Sequence, residues 1–156
     1  MAGTYNFHRD LKKSEEKTTE LLAALRLIGY NVGETCNDHR FDVILSKGGV
    51  ELKCEIKHDF MSQRTGNFVV EAECRGRPSG ISSTEASHWI FVTRDGVFLV
   101  PVESIQREIA GKTYKKFVEG GDSGSRTKMY VFALEILQKI GEKINVALPQ
   151  EKSDAA

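Results

Sequence analysis

The amino-acid sequence predicts a mixed α/β fold, and three observations carry that expectation. Residues 14–29 place Leu21, Leu25 and Ile28 at helical spacing. Two strand-like runs, 41–47 and 50–58, meet at Gly48-Gly49, and a two-residue Gly-Gly link between such runs is a strong hairpin signal. Further short strand patterns then alternate with short helical ones towards the C-terminus.

Residues 1–9 read as a loose arm. Ser14, followed by Glu15 and Glu16, reads as a helix start, because acids in the first turn face the positive end of the helix dipole, and Gly29 ends the helix. Residues 30–32 form a first short strand. In 50–58 the alternation puts Val50, Leu52, Cys54 and Ile56 on one face and Glu51, Lys53, Glu55 and Lys57 on the other. The glycine-, arginine- and serine-rich stretch 61–83 holds one strand, 68–73. Ser82 to Glu85 is a capping-box pattern for a short helical turn ending near His88. Strands at 89–93 and 97–102 flank the turn Arg94-Asp95-Gly96, a short helix covers 103–110, and 120–125 is a flexible glycine-rich loop. A last strand at 129–133 precedes a closing helix at 134–144. The chain reads as one domain, 1–156, with 1–9 and 149–156 as flexible tails and no internal repeat.

A chain of 156 residues, 40% hydrophobic and 28% charged, is long enough to bury a core. No apolar run suffices to span a bilayer, and the N-terminus lacks the charged-then-apolar build of a signal peptide. A cytoplasmic protein with no membrane partner is therefore expected. The three cysteines, Cys36, Cys54 and Cys74, form no Cys-x-x-Cys pair, so they read as reduced thiols rather than a zinc or redox motif. With 22 basic and 22 acidic side chains the net charge is zero. That balance excludes a protein that coats nucleic acid through bulk basicity, so any DNA binding has to rest on a local site.

The hairpin suggests such a site. With Gly48-Gly49 as the turn, Lys47 pairs with Val50, which sets Asp42 opposite Glu55 and puts Lys57 on the same face. Like charges opposite each other destabilise a sheet unless something cationic sits between them. Two carboxylates suit a hard divalent ion such as Mg²⁺, with Mn²⁺ able to substitute. Such an ion activates water and stabilises a leaving alkoxide, and a nearby lysine orients that water or offsets developing charge on phosphorus. Glu55 and Lys57 are equally consistent with a solvated strand face. Asp42 is the more telling residue, since it interrupts the apolar run of Phe41 and Val43 to Leu45.

The helix, Asp42 and Glu55-Ile56-Lys57 together resemble the PD-(D/E)XK nuclease superfamily, which includes restriction enzymes and Holliday junction resolvases. The match runs from about Ser14 to His58, although Phe41 stands where the motif has proline. The stretches from Thr65 to Glu71 and Arg75 to Ile81, and Gly120-Gly121-Asp122, are similar to small phage-encoded members. The resemblance implies a restriction-endonuclease-like mixed central sheet flanked by helices, with an αβββαβ core. It implies that Asp42, Glu55 and the backbone carbonyl of Ile56 bind Mg²⁺, and that Lys57 acts on the water or phosphate. Resolvase-like members also bring a first-helix glutamate to the metal. The matching position here is Thr18, with Glu20 the nearer acid, although a solvated helix face explains Glu20 as well. Glu71 is either an accessory ligand or the partner of an arginine.

Phosphate contacts are expected from Arg64, Thr65 and Asn67, from Arg75 and Arg77, and from Arg126 and Lys128, which form three basic loops. The Ser82–Thr84 segment is a further candidate, as a helix start that holds a phosphate. The function expected is Mg²⁺-dependent DNA endonuclease, resolvase-like in selecting branched structures, acting as a homodimer by analogy and needing no small-molecule cofactor. The alternatives are a silent DNA-binding module on a nuclease fold and an assembly subunit that docks through its charged face.

Overall fold

The computed structural model describes residues 7–36, 40–60, 62–120 and 126–149, with side chains from residue 12 onward. Helix α1 (Phe7–Leu27) is followed by β1 (Asn31–Thr35), β2 (Val43–Lys47) and β3 (Val50–His58). A single turn, α2 (Ser62–Thr65), leads into β4 (Asn67–Cys74), the short β5 (Arg77–Pro78) and a 3-10 turn at Gly80–Ser82. Then come β6 (His88–Thr93), β7 (Gly96–Pro101), α3 (Val102–Ala110), β8 (Lys116–Gly120), β9 (Thr127–Ala133), α4 (Glu135–Ile140) and β10 (Glu142–Ile144).

The strands form two sheets. The larger is mixed, in the order β1-β2-β3-β6-β7-β10, with β3 and β6 parallel and every other pair antiparallel. The smaller, β5-β4-β9-β8, is antiparallel throughout. On one face of the large sheet α1 buries Leu21, Leu22 and Leu25 against Val43, Leu45, Cys54, Ile90 and Leu99. On the other face, Trp89, Phe91, Phe98 and Val100 pack against Phe68, Val70 and Phe132 of the small sheet, joined by Ile105 of α3 and Leu137 of α4. Strands β6 and β7 lie between these two apolar layers, which is why their sequences read as near-continuous hydrophobic runs rather than alternating ones. The fold is thus mixed α/β with a mixed central sheet, as its sequence suggests. The second sheet is an addition that the sequence did not announce.

Several boundaries differ from expectation. Helix α1 begins at Phe7 rather than at Ser14, so Ser14 lies inside the helix and not at its cap. Leucine and the two lysines at positions 11–13 are good helix formers, and propagation costs little once a turn exists. Residues 1–6 of the expected arm, 121–125 of the glycine-rich loop and 150–156 of the expected tail lie outside the described residues. The Ser82–Glu85 capping box does not form. The 3-10 turn is over by Ser83, and the Glu85 N–H donates to the Arg40 carbonyl instead. The helix expected over 134–144 stops at Ile140. Gly141 turns extended there, where a Cβ would meet Val100 Cγ2 at 2.8 Å, and the chain goes on to pair as β10 with β7.

One buried polar knot ties α3 to α4. Glu108, 6% exposed, accepts hydrogen bonds from Thr113 Oγ1 and Lys139 Nζ, each at 2.6 Å. These bonds hold its carboxyl below the usual glutamate range and offset the cost of burying it.

Two glycines with positive φ separate conformational cost from steric cost. At Gly48 (φ +62°) an added Cβ meets nothing within 4 Å, whereas at Gly80 (φ +52°) it would stand 2.1 Å from the Glu71 carbonyl oxygen. Gly48→Ala is expected to cost about 1 kcal/mol in urea unfolding, and Gly80→Ala about 3 kcal/mol or more, because the 3-10 turn must leave β4. Equal midpoints for the two variants would contradict the packing described for Gly80.

Candidate functional site

The site arises from a mismatch in strand length. Strand β3 has nine residues and β2 has five. Their ladder runs from Lys47↔Val50 to Val43↔Cys54, the register the Gly-Gly turn dictates. On its other side β3 pairs with β6 as far as His58↔Val92. Past Cys54, then, β3 has no strand beside it on the β2 side among the described residues.

Asp42 fills the first gap. Its N–H donates to the Cys54 carbonyl at 2.9 Å, and its Oδ2 accepts the Ile56 N–H at 2.6 Å. The pairing of Asp42 directly opposite Glu55 is therefore not made. The chain bends at Asp42, and the carboxylate takes the place of a backbone acceptor instead of facing a like charge. Because N–H and C=O of one strand residue point to the same side, the Ile56 carbonyl also faces this open edge.

Glu55 and Lys57 share the face with Trp89 and Phe91, their partners in register on β6. Lys57 Nζ lies 2.7 Å from Glu55 Oε1 and 4.8 Å from the centroid of the Trp89 ring. Thr84 Oγ1 donates to Glu55 Oε2 at 2.9 Å and accepts from Trp89 Nε1 at 3.3 Å. The carboxylate is thus held at both oxygens, and the ammonium is fixed between a carboxylate and an aromatic face. Thr84 is the residue whose role sequence reasoning missed. The sequence reads it as part of a phosphate-binding helix start, whereas in the fold it anchors an acid 29 residues away in sequence, a pairing no local pattern announces.

A cleft of about 710 Å³ opens along the unpaired edge, lined by Ser14, Glu15 and Thr18 of α1 and by Asp42, Lys57 and His58, among others. Glu20 is absent from this lining. Its Oε2 is buried, 3.5 Å from Lys17 Nζ and without a hydrogen bond among the described residues. Among the described residues, the α1 carboxylate that reaches the cleft is Glu15, which lies one helical turn before Thr18 on the same side. Glu71, half-buried on β4, does not line the cleft. His58 Nε2 shares a hydrogen bond with Thr18 Oγ1 at 2.8 Å, while its buried Nδ1 has no hydrogen-bond partner among the described residues. Burial, and then the nearby Lys17 charge, lower the His58 pKa and favour the neutral ring.

The acids carry the cost of this arrangement. Burial pushes the Asp42 pKa above the usual aspartate range; the Ile56 N–H pulls it down, the Glu55 charge raises it and Lys57 lowers it. Burial, followed by the Asp42 charge, pushes the Cys54 thiol up to about 12, so it stays protonated in the core and supplies no thiolate. Among the described residues no three His, Cys, Asp or Glu side chains gather closely enough to hold a metal. The oxygen donors near this edge are the Asp42 carboxylate, which lines the cleft, the Ile56 carbonyl and, on the neighbouring face, the Glu55 carboxylate, which does not line the cleft and has both oxygens engaged by Lys57 and Thr84. This set of hard oxygens fits Mg²⁺, which keeps several of its waters, better than it fits zinc.

The seven expected DNA-contacting residues separate into two groups. Arg75 and Arg77, exposed in the β4–β5 hairpin, come together with Arg126 and Lys128, because β9 pairs Thr127 with Cys74 and Lys128 with Glu73. Lys128 is already engaged, 3.0 Å from Glu73. Arg64, Thr65 and Asn67 lie at the other end of β4, where Lys115 donates to Asn67 Oδ1.

No protein-family model matches the chain, and no curated protein sequence does. Among solved structures it is similar to a bacterial homing endonuclease, I-Ssp6803I, with a TM-score of 0.38 and 16% identity, covering 94% of this chain and 82% of that one.

The raised Asp42 pKa has a stability consequence of definite sign. The folded state holds Asp42 less willingly as an anion than the unfolded chain does. Stability from this residue is therefore full below the ordinary aspartate range and is lost as pH rises through the folded pKa. Asp42→Asn keeps an acceptor for the Ile56 N–H and removes the charge, so it is expected to raise Tm at pH 7. The gain should shrink as the pH falls towards 4. A lower Tm at pH 7 would mean that the charge itself holds the edge together.

Proposed function

We propose that the protein is a Mg²⁺-dependent deoxyribonuclease of the PD-(D/E)XK type, an endonuclease whose centre is Asp42, Glu55 and Lys57. The observation that carries this reading is the open edge of β3, where Asp42 caps Ile56 and Glu55-Ile56-Lys57, paired with β6 on its other side, has no strand beside it on the β2 side among the described residues. Asp42, Glu55 and the Ile56 carbonyl are the groups that would hold the ion. When bound, such an ion supplies an activated water and neutralises charge on the phosphate and the leaving oxygen.

The chain's own residues then have distinct tasks. Lys57, held by Glu55 and the Trp89 face, presents a fixed cation to a phosphate entering the cleft and donates to the oxygen on which negative charge grows. Thr84 keeps the Glu55 carboxylate from rotating away. Glu15, not Glu20, is the helix carboxylate positioned to hold or orient water in the cleft. A single nuclease domain, DNA as substrate, a homodimer, a phage origin and a host-cytoplasmic setting belong to this reading.

One observation favours the silent DNA-binding module. Glu55 is already neutralised by Lys57 at 2.7 Å, and no third acid, histidine or cysteine joins the acids among the described residues. Cleavage separates the two readings. Labelled linear duplex, single strand, nicked circle, flap and four-way junction are incubated with Mg²⁺, Mn²⁺ or EDTA. The proposal expects metal-dependent products that fall about a hundredfold or more in Asp42→Ala, Glu55→Ala and Lys57→Ala. Thr84→Val is expected to reduce kcat about tenfold, since it loosens Glu55 without removing it. Binding without product under every condition would establish the silent module.

A further inference from the structure

A second cleft, of about 610 Å³, adjoins the first, and Asp59 and Phe60 line both. The wall between them is built rather than incidental. Asp59 Oδ1 accepts the Ser62 N–H at 3.0 Å, and the wholly buried Ser62 Oγ both donates to the Asp59 carbonyl and accepts the Arg94 N–H at 3.1 Å. This network locks the turn after β3 onto the β6–β7 turn. Phe60, 36% exposed, stands on the ridge with its ring stacked on His58 and Lys13 Nζ 4.3 Å from its centroid.

The second cleft has two characters. Its floor is apolar, formed by Val92, Val97, Ile144 and Val146, while Lys17, Arg94 and Lys143 bring cations to its lining. Arg94 and Lys143 are exposed. Arg94 is steadied by its neighbour Asp95 at 3.3 Å, whereas Lys143 makes no ion pair among the described residues. A ligand that satisfies both characters is anionic along its length and carries flat apolar faces. A duplex hides its base faces in the stack and gains nothing from an apolar floor. An unpaired strand exposes both phosphates and bases.

We propose that an unpaired DNA strand leaving the candidate active site crosses the Asp59–Phe60 ridge, rests a base on the Val92, Val97, Ile144 and Val146 floor and sets its phosphates on Arg94 and Lys143. The proposal rests on the nuclease reading for the position of the cut, and it narrows the substrate to DNA with a single-stranded branch or end.

Binding tests it without any cleavage. Fluorescence anisotropy is measured in EDTA and again in Ca²⁺, with a blunt duplex and with the same duplex carrying a short thymidine tail. Wild-type protein should bind the tailed duplex about tenfold more tightly. Arg94→Ala combined with Lys143→Ala should lose about tenfold on the tailed duplex and less than twofold on the blunt one. Phe60→Leu should weaken tailed binding in the same selective way. Both sets of changes are at exposed positions, and an unchanged Tm would show that the protein still folds. No preference for the tail, or equal losses on both probes, overturns the proposal. Failure of cleavage with tail preference intact sinks the nuclease reading alone, and cleavage without tail preference sinks this one alone.

Discussion

The hydrogen bond from the Ile56 N–H to Asp42 Oδ2 is the contact on which the rest of the site depends. It lies where β2 ends and β3 does not. An exposed strand edge is a liability, because its free N–H and C=O groups invite another strand. Here one carboxylate stands in for the missing strand at one N–H. The same act places a charge beside the Ile56 carbonyl and the start of Glu55-Ile56-Lys57. A backbone acceptor would have satisfied the N–H equally well and left the edge without chemistry.

That substitution has an electrostatic cost, and the surroundings limit it without removing it. Burial and the Glu55 charge both work against the Asp42 anion, while Ile56 and Lys57 work for it, and burial dominates. Glu55 sits differently, at 18% side-chain exposure with Lys57 and Thr84 on its two oxygens. The two acids are thus unequal, one short of positive charge and one already supplied. Under the proposed reading, a cation entering the cleft would meet Asp42 in its lining, whereas Glu55 stands outside that lining and is already engaged by Lys57. Lys57 has somewhere to go when displaced from Glu55, because the Trp89 face also attracts it.

What the sequence disclosed follows from the range of the interactions involved. The Gly48-Gly49 turn set the β2–β3 register to the residue, since a two-residue link leaves no slack, and that register alone brought Asp42 near Glu55 and Lys57. The final bend at Asp42 was not legible, because it depends on the ladder stopping at Val43. Strand β8 is not legible for a different reason: of its five residues only Val118 is half-buried, so no alternation marks it. The expected closing helix is longer than the real one because apolar spacing continues through Ile140 and Ile144, although Gly141 between them turns the chain into a strand. Thr84 and the choice of Glu15 over Glu20 belong to tertiary structure. Helical periodicity identified the face around Thr18, but not which neighbouring acid reaches over the cleft.

The second sheet explains how a threonine so far along the chain comes to steady Glu55. Strands β3 and β6 are parallel, and a parallel pair requires a long crossover. In this chain the crossover is not mainly helical. It contributes β4 and β5 to the small sheet and returns through the 3-10 turn. Gly80, against the Glu71 carbonyl, holds that turn close to β4, and the Thr84 N–H bonds back to the Gly80 carbonyl at 2.9 Å. The return path therefore delivers the Thr84 hydroxyl to Glu55 just before the chain enters β6 and supplies Trp89 beneath Lys57. The crossover both completes the core and fixes the acid and the lysine. Small losses of packing between the two sheets should therefore reach the site before they unfold the protein, because the floor under Lys57 and the anchor of Glu55 are carried by the same segment.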